Sequence, residues 1–250
     1  GASDATELGI VLANALASLR AFDDGGLDLA DAVRRIGLAA AVDQDQFGGI
    51  AKVRALRRLW AALLCDCALA PAAAHVHAET AFRMMATRDP HTNLLRTTIA
   101  SFAAGVGGAD SVAVLPFTQP IGLPDAFARR IARNIQTILL EESNLSAVID
   151  PAAGSGAVEA RTEALAAAAW DVFRDIEAAG GLAAAIASGR VADRIGAERE
   201  RRAREVALRR RPIVGTSQYA FLEERPVAVD GHPPAPRPAP AGVAPDPAAE

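Results

Sequence analysis

Leu8, Val11, Leu12, Ala15, Leu16 and Leu19 recur at intervals of three and four, so one apolar stripe runs down a helix over about residues 4–22. Asp23-Asp24-Gly25-Gly26 ends it, with a glycine free to take the left-handed cap. A short helix over about 28–35 starts at Asp28. The apolar run Ile36-Gly37-Leu38-Ala39-Ala40-Ala41-Val42 has turn signals around it and predicts a strand buried on both faces. A helix over about 44–68, a strand at Ala74-His75-Val76-His77-Ala78 and a helix over about 91–105 follow. Asp110-Ser111-Val112-Ala113-Val114-Leu115 has the strongest strand pattern, and a helix over about 124–142 carries Pro124 at its first turn.

Short apolar strands alternating with long helices predict parallel β/α units with helices outside the sheet. Three strands are clear, or four if Ile213-Val214-Gly215 counts, whereas a closed barrel needs about eight. The pattern therefore fits an open sheet or the later part of a (β/α)8 TIM barrel. The start of the chain directly on a helix, read as a cut inside a longer protein, favours the barrel. Beyond residue 150 helices follow one another over about 156–178, 181–188 and 190–210, a helix-rich C-terminal extension. From Pro226 the chain is rich in proline and alanine, which marks an extended linker without core-forming residues. The expected organisation is an α/β domain over 1–225 and a linker over 226–250, leading to a further domain.

With 250 residues, 51% of them hydrophobic, the chain can bury one sizeable core. A net charge of −4 asks for neither nucleic acid nor an anionic membrane, and no apolar run approaches the roughly 18 residues of a membrane span. Cys65 and Cys67, two apart on a helix, point in different directions and read as reduced thiols of a cytoplasmic protein. The last long helix sets nine arginines, from Arg190 to Arg211, against Asp193, Glu198, Glu200 and Glu205. With acids interleaved and no aromatic residue to stack on bases, this reads as a solvated or subunit-facing helix.

Spacing alone supplies no catalytic constellation and no metal site: neither a dinucleotide fingerprint, a P-loop nor a His-Glu-x-x-His occurs. His75 and His77 are read as lying on opposite sides of their strand, which would keep them from sharing a metal. Ser111 could point inward to meet a ligand or merely pack. Asp150-Pro151-Ala152-Ala153-Gly154-Ser155-Gly156 precedes a helix and either cradles an anion or caps that helix.

Longer strings are more specific. Lys52-Val53-Arg54-Ala55-Leu56-Arg57-Arg58-Leu59-Trp60, the stretch from Thr87 to Thr98, and Phe127-Ala128-Arg129-Arg130-Ile131-Ala132-Arg133-Asn134 resemble the acyl-CoA mutase barrel of the methylmalonyl-CoA mutase family. Glu141-Glu142-Ser143, Val148 to Ser155, and Ile176 to Gly181 do so too, in the family's order. The resemblance implies a (β/α)8 barrel, an adenosylcobalamin cofactor carried on a separate domain, and interconversion of methylmalonyl-CoA and succinyl-CoA.

Catalytic chains of that family carry His-x-Gln-Thr-Ser-Gly-Trp, where this chain has His77-Ala78-Glu79-Thr80-Ala81-Phe82-Arg83. They carry Gln-Ser-Leu-His-Thr-Asn and then Asp-Glu, where this chain has Asp110 to Leu115 and then Thr118-Gln119. Glu79, Leu115 and Gln119 thus replace groups that meet substrate or cofactor, and leucine offers no hydrogen bond at all. The resemblance therefore implies a small, non-catalytic subunit with no catalytic residue of its own. His77 and Ser111 remain as vestigial cofactor-binding positions, adenosylcobalamin is not bound by this chain, and a catalytic large subunit in a heterodimer binds the acyl-CoA. The alternative is a competent mutase chain for methylmalonyl-CoA or another branched acyl-CoA. Asp230-Gly231-His232 lacks the final glycine of the family's cobalamin motif and is not counted.

Overall fold

The alternation of strands and helices holds across residues 1–231, the part of the chain described by a computed structural model. Helix α1 (Asp4–Asp24) starts where the Ser3 side chain accepts from the Thr6 amide and stops at Gly25. Helix α2 (Leu29–Arg35) starts at Asp28, which accepts from the amides of Ala30 and Asp31. Strand β1 (Gly37–Val42), helix α3 (Gln46–Asp66), strand β2 (His75–Thr80), helix α4 (Thr92–Val106) and strand β3 (Ser111–Ala113) then form two β-α-β units. The three strands are parallel in the order β1-β2-β3, as crossovers through α3 and α4 require.

Only one face of this sheet is buried. Leu38, Ala40 and Val42 of β1 and Val76, Ala78 and Thr80 of β2 point into the core. That core is shared with Leu8 and Leu12 of α1, Val53, Leu56, Trp60 and Leu64 of α3, and Ala100 and Ala104 of α4. Gly37, Ala39, His75 and Glu79 lie on the opposite face and are exposed, while Ala41, His77, Ser111 and Ala113 on that face are half-buried. The expectation of a β1 buried on both faces is thus corrected. Among the described residues all the packed helices lie on one side of the sheet.

Strand β3 is also shorter than the six residues its pattern suggests. Its flanks stay attached by hydrogen bonds beyond the strand itself: Asp110 N donates to Val76 O at 2.8 Å, and Leu115 N donates to the Thr80 hydroxyl at 2.8 Å. A side chain takes the place of a ladder carbonyl there, and Pro116 follows with no amide hydrogen to give. Ile213-Val214-Gly215 does not join the sheet; Val214 forms an isolated bridge with Gln218.

Helix α5 (Ala126–Thr137) is capped by Asp125, whose side chain accepts from Ala128 N at 2.7 Å, and runs on into one π-helical turn at Ile138–Glu142. Helix α6 (Gly156–Ala178) packs across α1 and α3 as an outer layer, followed by α7 (Leu182–Ala187) and α8 (Arg190–Ala207). The α1–α6 crossing is close enough to need a glycine. A Cβ on Gly9 would stand 2.7 Å from Val172 Cβ and 2.9 Å from Ala169 O. Gly9→Ala should therefore cost about 1–2 kcal/mol net in a denaturant melt, overpacking outweighing the better helix propensity. An unchanged midpoint would mean that α6 shifts freely.

Among the described helices α1 alone is long and apolar enough to cross a membrane, with a mean hydropathy of 1.2. Here it is a core helix, with Leu8, Leu12, Ala13, Ala15 and Leu19 buried. The proline-rich segment begins attached to the body: Val229 lies over Gly122, and Asp230 N donates to Leu123 O at 2.8 Å. Residues 232–250, and with them His232 and most of the expected linker, lie outside the described residues.

Candidate functional site

The parallel register decides which sequence candidates meet. Ala39, His77 and Ser111 stand side by side across the three strands, and Ala41, Glu79 and Ala113 form the next row. His77 Nδ1 lies 2.8 Å from Ser111 Oγ, and His75 Nε2 lies 2.9 Å from the same oxygen. The two histidines therefore share a face. The expectation that they lie on opposite sides is corrected, because residues two apart on a strand project the same way. His75 was missed as a site residue although that period of two, applied from His77, would have found it.

Ser111 carries one proton, so it donates to one imidazole and accepts from the other. One nitrogen of each ring is thus turned toward the Ser111 hydroxyl. Glu79 is exposed on the same face one row along. Leu115 lies just beyond β3 with an apolar side chain, and Gln119 closes a turn in which its amide donates to Pro116 O at 2.9 Å. No group of three His, Cys, Asp or Glu with metal-binding geometry occurs among the described residues.

Behind this face Asp110 anchors the start of β3. Its carboxylate accepts from Val76 N at 2.7 Å and from Arg57 Nη2 at 2.8 Å. Burial pushes its pKa upward, but the Val76 amide and the Arg57 guanidinium outweigh this and hold it below the usual carboxylate value. Arg57 also donates to Gly108 O, which ties α3 to the turn before β3.

A second charged cluster lies at the other end of β1. Lys52, buried on α3, reaches Asp4 Oδ1 at 2.8 Å and Glu7 Oε2 at 2.9 Å. The other Glu7 oxygen accepts from Ala41 N at 2.6 Å, satisfying an amide on the edge of β1 that pairs with no strand among the described residues. Arg83 bonds Asp43 at 2.9 Å and Asp4 at 3.2 Å. Burial alone would lower the Arg83 pKa, but these carboxylates, Asp43 foremost, raise it.

The remaining candidates serve the fold. Arg54 bonds both Asp150 and Glu159, and Gly154 N donates to Glu159 Oε1 at 3.3 Å. The chain's own carboxylate thus sits beside the Gly154 amide, and the Ser155 side chain makes no capping bond to α6. On α8, Glu198 accepts from the Ser3 and Thr6 hydroxyls at 2.7 Å each, and Arg202 donates to the Gly1 and Ala2 carbonyls. Arg194 pairs with Asp175 at 2.9 Å. Cys65 and Cys67 are both exposed and unbridged.

The family model for methylmalonyl-CoA mutase matches residues 1–235. A methylmalonyl-CoA mutase small subunit of Streptomyces virginiae is 53% identical over 94% of this chain and 38% of its own length. The small subunit of Propionibacterium freudenreichii subsp. shermanii is 38% identical over 94% of this chain and 38% of its own. A methylmalonyl-CoA mutase of Cereibacter sphaeroides is 33% identical over 92% of this chain and 33% of its own. The chain thus spans under two-fifths of the length of each of these relatives.

Proposed function

The chain belongs to the methylmalonyl-CoA mutase family, a family of isomerases, and we propose that it is part of a non-catalytic small subunit that supports a catalytic large one. On this reading the three-stranded sheet is the later part of a (β/α)8 barrel, residues 1–225 are barrel domain and trailing helices, and residues 226–250 lead toward a cobalamin-type domain. The protein works in the cytoplasm as a heterodimer whose partner binds adenosylcobalamin and the acyl-CoA.

The observation that carries the proposal is the chemistry of the open sheet face and its margin. A cofactor ribose needs donors and acceptors aimed at its hydroxyls. Leu115 has none, Glu79 as a carboxylate only accepts, and Gln119 replaces an acid by an amide. His77 and Ser111 keep the family's residue types, but His77 Nδ1 and the Ser111 hydroxyl are engaged with each other. These residues do not fit adenosylcobalamin, and no catalytic step is assigned to them. Greater identity to the two small subunits than to the Cereibacter mutase supports the same reading.

The complete polypeptide carrying these residues, produced alone, should give no detectable conversion of methylmalonyl-CoA with adenosylcobalamin present. Co-expressed with a catalytic mutase chain of its own source, it should co-purify with that chain as a stoichiometric complex. Turnover by the polypeptide alone would overturn the proposal and favour a competent chain with divergent cofactor contacts. Failure to associate would overturn the supporting role.

A further inference from the structure

Residues 213–231 follow α8 and touch the loops that leave both β2 and β3. We propose that they form a strap that latches these two loops as one cooperative unit, so that docking of the strap and order of the loops are linked. This inference does not depend on the small-subunit reading.

The latch point is Asp89, in the loop between β2 and α4. Its φ of 47° is left-handed, a region that a non-glycine residue occupies at some cost and keeps where its surroundings hold it. The strap holds it from both sides. Glu224 Oε1 accepts from Asp89 N at 2.7 Å, and Gly215 lies against the Asp89 carboxylate. Gly215 is buried with a φ of 80°, and a Cβ there would stand 2.6 Å from Asp89 Oδ2. Only glycine lets the strap come this close.

The second loop, between β3 and α5, is gripped further along the strap. Val229 lies over Gly122, and Asp230 N donates to Leu123 O at 2.8 Å. Beneath the strap the two loops are already joined, because Asn93 bonds Ala86 in one and Phe117 O in the other. Arg96 connects that joint to the strap: it donates to Asn93 Oδ1 at 2.7 Å and to Val214 O at 2.6 Å. Hydrogen bonds thus run without a break from the strap to both loops.

The strap is lightly attached, since Gly215 alone is buried among residues 213–231. It therefore belongs to the part of a fold that opens before the core does. Both loops leave the carboxyl ends of parallel strands, the end at which β/α folds bind their ligands. Such coupling is reciprocal: whatever reshapes either loop loosens the strap, and whatever pulls on the strap loosens both loops.

The test is hydrogen exchange read by mass spectrometry on the complete polypeptide, in peptides covering residues 86–91 and 226–231. Gly215→Ala disturbs the grip on the first loop. Gly122→Ala disturbs the grip on the second, where a Cβ would stand 2.8 Å from Val229 Cγ2. Each should speed exchange in both peptides, the remote one included, by about fivefold, what losing one typical hydrogen bond gives. Glu224→Ala, which adds no bulk, should repeat the result of Gly215→Ala. Exchange in α1 should stay as in the parent protein, which separates release of the strap from loss of the fold. Faster exchange confined to the loop nearest each change would overturn the proposal, as would unchanged exchange in both peptides.

Discussion

Lys52→Met should lower the unfolding free energy by about 3 kcal/mol in a urea titration, the lower end of what breaking a buried ion pair costs. Lys52 is 1% exposed and its ammonium sits between Asp4 and Glu7. Removing it leaves two carboxylates facing each other with only part of their hydration. The loss also reaches the sheet, because Lys52 holds the carboxylate that satisfies Ala41 N of β1. Glu7→Gln combined with Lys52→Met should cost less than the two single changes added together, since the groups belong to one network. A loss below about 1 kcal/mol for Lys52→Met would show that the ammonium's desolvation had cancelled its attraction.

The same cluster sets an acid dependence. Burial alone would raise the Asp4 pKa, but Lys52 and then Arg83 outweigh it and bring the value below 3.8. A carboxyl with a depressed folded value contributes stability that is present above its unfolded value. That contribution is lost as pH falls through the lower, folded one. Acid unfolding should therefore draw on Asp4 only below about pH 4. In Lys52→Met the acid limb should move to higher pH.

Asn93→Leu should cost about 3–4 kcal/mol, because several buried groups lose their partners at once. Asn93 is fully buried in α4. Its oxygen accepts from Ala86 N at 3.0 Å and Arg96 Nη1 at 2.7 Å, and its nitrogen donates to Ala86 O at 2.9 Å and Phe117 O at 3.0 Å. One side chain thus joins the loop after β2 to the loop after β3 and steadies the Arg96 guanidinium, which in turn donates to Val214 O. Besides the lower denaturant midpoint, amide exchange at Ala86 should speed up. Unchanged exchange there would mean that another group holds the loop.

Much of this molecule was legible in local patterns. The stripe of Leu8, Leu12, Ala15 and Leu19 found its helix, and Asp28 starts α2, where its side chain caps free amides; α5 in contrast begins after Asp125, with Pro124 ahead of the helix rather than in its first turn. Family membership was legible too, because ordered strings such as Lys52 to Trp60 and Thr87 to Thr98 carry far more information than any single residue. The candidate site was half legible: His77 and Ser111 stood out by resemblance, whereas His75 was set on the wrong side of its strand.

The order of strands and helices, the stop at Gly25 and the start at Asp28 depend on neighbours within a few positions and could be read without the fold, and the family could be read from its ordered strings. The tertiary structure alone decided that Ala39 faces water and that β3 ends at Ala113. It also decided that Lys52 meets Asp4 and that two imidazoles close on Ser111 from the next strand. Those facts follow from strand register and from which side the helices pack, and no local period encodes either.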